Sequence, residues 1–267
     1  MITYDFKLEA GDRNAGTVYL PSGGAENIPV IICCNGWGGN RQLRATTQVL
    51  CDKAMSESLA LVTFDFFGCG ETGGDLRHMT HARWKNNLSE IVSWVQSQPF
   101  SSSDKIGCYA FSSGSTAALR LAAEERRLAF IISVGTCIST HYGMRNGGPA
   151  KRLADNLDKL VAGGRVSVFG VKFGLDFFID AICNAPIHTM HKISCPVLFL
   201  QGMQDDLFRC ADAKMAYDLM TRENSQNGTA YIPLEGADHG LSNMAEEAMC
   251  SAFEWLLPVL ERCGQLI

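Results

Sequence analysis

The chain has 267 residues, 46% of them hydrophobic and 19% charged, a globular composition that excludes a disordered, collagenous or low-complexity protein. A chain of this length accommodates one large α/β domain or two small ones, and it can bury a sizeable core. The net charge of −5, from 23 basic and 28 acidic residues without a basic run, gives nucleic acid or an anionic membrane surface no electrostatic hold as a partner.

In chain order, the first 20 residues alternate and break at Gly11-Asp12 and Pro21-Ser22, which predicts a hairpin. Apolar runs of buried-strand type follow at Pro29–Cys34, Leu59–Phe64, Lys105–Phe111, Phe130–Val134, Pro196–Leu200 and Ala230–Leu234. Between them lie helical stretches. One carries Trp84, Leu88, Ile91, Val92 and Val95 on a single face, and another is the Ala- and Leu-rich segment from Ser113 to Glu125. Strands alternating with helices imply parallel crossovers and a sheet covered on both faces. The rhythm breaks between Cys137 and Lys192, which holds a charged helical stretch (Ala150–Leu160), Gly163-Gly164 and Phe169, Phe173, Phe177 and Phe178. Connections of that length are usually functional. We expect an inserted cap over residues 137–192, with residues 1–136 and 193–267 forming the core.

Eleven cysteines sit mostly in or beside apolar runs, where Cys acts as a small hydrophobe, and no two are spaced as CxxC. Asp5, Lys7, Glu9 and Asp12 interrupt any signal-peptide core, and no run reaches 18 apolar residues. The expectation is a reduced, soluble, cytoplasmic protein.

The sharpest chemical signal is the stretch Ile106-Gly-Cys-Tyr-Ala-Phe-Ser112-Ser-Gly-Ser-Thr116, where an apolar strand runs directly into a helix. The small residues Ala110 and Gly114 permit the sharp turn that lifts a nucleophilic Ser112 above the sheet. The same turn aims the Ser113 N–H at a developing oxyanion. A serine needs a base held by a third group. The loop Gly202-Met-Gln-Asp205-Asp206 and the loop Glu235-Gly-Ala-Asp238-His239 each follow a strand candidate, at the sheet end where ligands bind in parallel α/β folds. A fourth loop, Asn35-Gly-Trp37-Gly-Gly39, has a backbone able to turn inward and donate a second oxyanion bond.

With Asp65-Phe-Phe-Gly-Cys-Gly-Glu-Thr-Gly-Gly74 added, these motifs resemble the α/β-hydrolases over nearly the whole chain. Within them, the likeness is to small capped serine esterases of the feruloyl/cinnamoyl type. The resemblance implies a mostly parallel twisted sheet with helices on both faces and an inserted cap. It implies Ser112 as nucleophile, His239 as base, Asp205 as the orienting acid, and the Trp37 and Ser113 N–H groups as the oxyanion hole. No cofactor or metal is implied. Asn35 stands where the family usually has His, Ala110 where it has the first elbow glycine, and Ser115 where glycine is frequent. The expected partner is a small-molecule ester, of short-to-medium or hydroxycinnamoyl acyl type. Phe169, Phe173 and Phe177 are candidates for an apolar slot, with Asp176 or Asp180 available to bond a polar tip. An acyltransferase or peptidase with the same triad, or a non-catalytic ligand-binding relative, are the rival expectations.

Two further patterns carry less. Gly68-Cys-Gly-Glu-Thr-Gly73 fits the dinucleotide fingerprint but opens no helix, which that fingerprint requires. The pair His78/His81 has only Asp75 nearby as a further ligand, and His188/His191 has no close carboxylate, fewer than a metal needs.

Overall fold

A computed structural model describes residues 1–24, 26–138, 147–223 and 227–263. In chain order, a hairpin of β1 (Ile2–Lys7) and β2 (Ala15–Leu20) leads to β3 (Ile28–Cys34), α1 (Ala45–Ser56), β4 (Ala60–Phe64), α2 (His81–Gln96), β5 (Ser101–Phe111), α3 (Ser113–Glu124) and β6 (Ile131–Val134). The insertion then contributes α4 (Pro149–Asp155), α5 (Leu157–Val161), β7 (Val166–Val168), β8 (Val171–Phe173) and α6 (Leu175–Cys183). The chain returns through β9 (Val197–Gly202), α7 (Cys210–Glu223), β10 (Ala230–Leu234) and α8 (Ala245–Cys263).

The eight-stranded sheet has the order β1-β2-β4-β3-β5-β6-β9-β10. The first two pairings are antiparallel and the other five parallel. This is the mostly parallel sheet that the sequence implied. Its layering follows from the period of two along each strand. On β3, Val30, Ile32 and Cys34 face one core with Trp84, Leu88 and Ile91 of α2, while Ile31 and Cys33 face the other with Leu50 of α1 and Met249 of α8. Both faces of β3 are therefore dry, which is why its sequence reads as a continuous apolar run.

The charged stretch Ala150–Leu160 is not one helix. Asn156 (φ −133°, ψ 20°) leaves helical geometry and separates α4 from α5. The described residues of the insertion form no separate core. Leu160, Val168, Phe173, Phe177 and Phe178 join the core on the α2/α3 side of the sheet. Residues 139–146 of the expected cap lie outside the described residues. Cys33, Cys34, Cys51, Cys69 and Cys108 are buried free thiols, and burial pushes Cys33 up to about 12 and Cys51 and Cys69 up to about 11. Cys33, Cys51 and Cys69 therefore stay protonated and inert. Among the described residues, no helix is long and apolar enough to cross a membrane.

Candidate active site

β5 ends at Phe111 and α3 begins at Ser113, so Ser112 alone makes the turn. It does so at φ 54°, ψ −121°, a backbone region that costs a non-glycine residue about 1–3 kcal/mol and is usually kept for function. Neighbours hold it there. The Ser112 N–H donates to Val134 O (2.9 Å), and the Ser115 N–H donates to Ser112 O (2.9 Å). A Cβ at Gly114 would stand 2.2 Å from Cys34 O, so only glycine lets α3 start against the end of β3. Ser115, in the place of a frequent glycine, donates its hydroxyl to Ala110 O (3.1 Å) and lies 2.6 Å from Ser133 Oγ, which is 2.6 Å from Thr136 Oγ1. Because Ser115 gives its proton to Ala110, the chain is ordered, with Thr136 donating to Ser133 and Ser133 to Ser115. The departure from glycine thus builds a buried hydroxyl brace behind the turn.

Ser112 Oγ lies 3.2 Å from His239 Nε2, and His239 Nδ1 lies 2.8 Å from Asp205 Oδ2. Asp205 has no exposed surface. Its Oδ1 accepts from the Leu207 and Phe208 N–H groups at 2.8 Å each, and its Oδ2 also accepts from Gln201 Nε2 at 2.9 Å. Burial pushes the Asp205 carboxyl up, but His239 and the other donors outweigh it and hold the group below the ordinary aspartate value. Asp206 points outward. Asp238 instead accepts from the Ser242 N–H (2.9 Å) and hydroxyl (2.6 Å). The imidazole is gripped between Phe111 and Phe208, with ring centroids at 4.9 and 5.1 Å. A Cβ on Gly135 would lie 2.7 Å from His239 Cε1. Sequence reading missed these three supports, although Phe111 directly precedes Ser112, Gly135 directly follows β6, and Phe208 lies three residues beyond Asp205.

The loop 35–39 crosses over the serine, since a Cβ on Gly36 would stand 2.9 Å from Ser112 Cβ. Ser113 is the first residue of α3, so its N–H has no intrahelical acceptor and is available at the helix N-terminus. Trp37, Ser112, Ser113 and His239 all line a cavity of about 390 Å³ whose wall is otherwise mainly aliphatic and aromatic.

The expected substrate-contacting residues divide. Phe169 and Phe177 line the cavity. Phe173 does not; it is fully buried, stacked on Trp37 (4.9 Å) and on Phe177 (4.2 Å), and so supports the wall from behind. Asp176 is exposed at the start of α6, away from the lining. Asp180 is also absent from the lining because its carboxylate is turned to Arg120 (3.2 Å) and the Ala82 N–H (3.2 Å).

The fingerprint-like glycines serve a different anion. The loop wraps the buried Asp65 carboxylate, which accepts from the Arg41 N–H (2.6 Å), Arg41 Nη1 (3.0 Å) and the Glu71 N–H (2.9 Å). A Cβ at Gly70 would lie 2.1 Å from Asp65 Oδ2. Of the histidine pairs, His78 Nε2 faces Arg165 Nη2 at 3.4 Å, His188 Nε2 faces Ile182 O at 3.3 Å, and His81 lines the cavity.

The sequence profile of the X-Pro dipeptidyl-peptidase family (S15) matches residues 10–162, a span that includes loop 35–39 and Ser112 and ends before Asp205 and His239. An uncharacterised 31.7 kDa protein of Escherichia coli, from the traX-finO intergenic region, is 23% identical over 270 residues, covering 87% of this chain and 93% of that protein. The α/β hydrolase GrgF of Penicillium sp. sh18 superposes with a TM-score of 0.75 at 14% identity, over 98% of this chain and 100% of that one. Est1E of Butyrivibrio proteoclasticus, with ferulic acid bound, superposes with a TM-score of 0.65 at 16% identity, over 91% and 96%. The fold is that of the α/β hydrolases.

Proposed function

The chain belongs to the X-Pro dipeptidyl-peptidase (S15) family of serine hydrolases, and from that membership and the site's geometry we propose that it hydrolyses carboxylic esters of short-to-medium or hydroxycinnamoyl-type acids. The observation that carries this reading is the hydrogen-bonded line Ser112–His239–Asp205 opening into an apolar cavity. Est1E, which shares the fold, holds ferulic acid, and this supports a flat acyl group of that kind.

Each residue then has a role. Ser112 Oγ attacks the ester carbonyl while His239 Nε2 takes its proton. Asp205 accepts from Nδ1–H, fixing the tautomer and balancing the imidazolium charge. The Trp37 and Ser113 N–H groups receive the oxyanion of the tetrahedral intermediate. The intermediate collapses, His239 returns the proton to the leaving alkoxide, and the acyl group stays on Ser112. Water, deprotonated by His239, attacks the acyl-serine, and the acid leaves as the Ser112 hydroxyl is restored. Residues 137–192 act as the cap that supplies Phe169 and Phe177 to the acyl pocket.

The family match favours a second reading, cleavage of Xaa-Pro dipeptides from peptide N-termini. That substrate brings an ammonium group, which needs an anionic partner when taken out of water. Among the described residues no Asp or Glu lines the cavity, and the sequence of residues 139–146 contains neither. The ester reading is therefore preferred. The deciding assay compares p-nitrophenyl acetate, butyrate and hexanoate and methyl hydroxycinnamates with Xaa-Pro-p-nitroanilides. Ester turnover with negligible anilide turnover is expected; the opposite ranking would replace the ester reading with the peptidase one.

A further inference from the structure

His81 is a polar side chain in the cavity wall with no part in the chemistry above. It opens α2 and lines the cavity beside Leu76, Phe177 and Ala181. Its side chain keeps only 12% exposure. Nδ1 is sealed from solvent without a hydrogen-bond partner, 3.7 Å from Asp180 Oδ2. With Nδ1 turned to Asp180, Nε2 is the ring nitrogen left to meet a ligand in the cavity that His81 lines.

The surroundings decide which nitrogen carries the proton. Asp180 forms a buried pair with Arg120 (3.2 Å) and also accepts from Asn184 Nδ2 (3.1 Å) and the Ala82 N–H (3.2 Å). Its oxygens are thus ringed by donors at the N-terminus of α2. A lone pair on Nδ1 would face that carboxylate across 3.7 Å of low-dielectric interior, whereas an N–H there points its positive end at the charge. The Nδ1–H tautomer wins, and Nε2 carries the lone pair. Burial lowers the His81 pKa, and although Asp180 opposes this, Arg120 adds to it, leaving the ring at about 4 and neutral near pH 7. Away from Ser112, Ser113, Thr116 and His239, the cavity wall is mainly apolar, and there His81 offers an uncharged hydrogen-bond acceptor.

We propose that His81 Nε2 is a specificity-determining acceptor that selects substrates carrying a hydroxyl or phenol donor on an otherwise apolar acyl body. This rests on the ester-hydrolase reading for what the body is attached to, but the recognition itself is a binding property. It replaces the expected carboxylate contact from Asp176 or Asp180 with a neutral one. A neutral acceptor favours a donor tip without demanding that the substrate bring a charge.

The test uses the full chain with Ser112→Ala, so that esters bind without turning over. Matched pairs are titrated: methyl 3-(4-hydroxyphenyl)propanoate against methyl 3-phenylpropanoate, and methyl 6-hydroxyhexanoate against methyl hexanoate. At least one hydroxylated member is expected to bind about 3–10-fold tighter than its partner, the range of one neutral hydrogen bond. Adding His81→Phe should bring that ratio to one or below, while His81→Gln, which keeps an acceptor oxygen, should retain part of it. Nitrogen-15 spectra of the unsubstituted chain should show His81 protonated on Nδ1, a readout that needs no variant to fold. Equal binding within both pairs, a ratio indifferent to His81→Phe, or protonation on Nε2 would each overturn the proposal. Wild-type ester turnover is measured alongside. Its absence would sink the ester reading while leaving a His81-dependent binding ratio standing.

Discussion

Ser112, Asp205 and His239 meet because a loop at the carboxyl end of a strand leaves few places for a side chain to go. The family resemblance picks Asp205 over its neighbours Asp206 and Asp238, and the geometry separates the three: Asp205 is buried with four hydrogen bonds, Asp206 faces outward, and Asp238 caps the turn at Ser242. We expect Asp205→Asn to lower kcat by about 10³–10⁴-fold through the wrong histidine tautomer. Asp206→Asn should change it less than about threefold, since surface changes rarely propagate. Steady-state kinetics on the preferred ester checks both. A different acid, Asp212, shows burial acting without a partner. Its Oδ2 is sealed and unbonded, and burial, opposed only by Arg209, pushes the carboxyl up to about 6. A carboxyl whose folded value lies above its unfolded value binds its proton more tightly in the folded state. It therefore weakens the fold progressively as pH rises from about 4 to 6, with the full penalty present above 6. Asp212→Asn is expected to raise Tm at pH 8 and to gain little at pH 4, as a thermal-denaturation series across that range would show.

At the scale of elements, the strands were legible because sheets buried on both faces demand uninterrupted apolar runs, and α2 because its five apolar residues recur on one face. The insertion was less legible. Four phenylalanines in ten residues say that something is buried, not which ring packs and which lines, and that depends on neighbours far away in sequence. Phe173 is captured by Trp37, whereas Phe169 stands at the tip of the β7–β8 hairpin, 53% exposed and at the cavity's edge. The hairpin tip Phe169-Gly170 has φ of 47° and 83°, the positive pair that a two-residue turn favours and that normally selects Asn-Gly. An aromatic residue there is a poor local choice, and its place on the cavity wall is the compensating role. Phe169→Asn should therefore raise Tm by about 2–4 °C, the effect of roughly 1 kcal/mol in a chain of this size. The same change should lower kcat/KM for the hexanoate ester more than for the acetate. Unchanged chain-length preference in this variant would remove Phe169 from the acyl pocket.

For the molecule as a whole, alternation of strand and helix announced the parallel sheet, and the order of serine, acid and histidine along the chain announced where its loops converge. The insertion's relation to the sheet could not be read in the same way. Its buried residues join the α2/α3-side core instead of forming a second one, and the charged pair that ties it down, Asp180 with Arg120, links residues 60 apart in sequence. Removing one member of such a buried pair typically costs about 3–5 kcal/mol, so the insertion belongs energetically to the main fold. The cavity is consequently a shared product of both parts, walled by Phe111 and Phe208 from the core and by Phe169 and Phe177 from the insertion. The proposed chemistry requires an acyl-enzyme on Ser112. Its most direct test is mass spectrometry of the intact chain, acid-quenched during turnover of p-nitrophenyl butyrate, followed by peptide mapping. One butyryl group on the peptide containing Ser112, absent after Ser112→Ala, is the predicted result. Steady ester turnover with no adduct, or with the adduct on another residue, would contradict it.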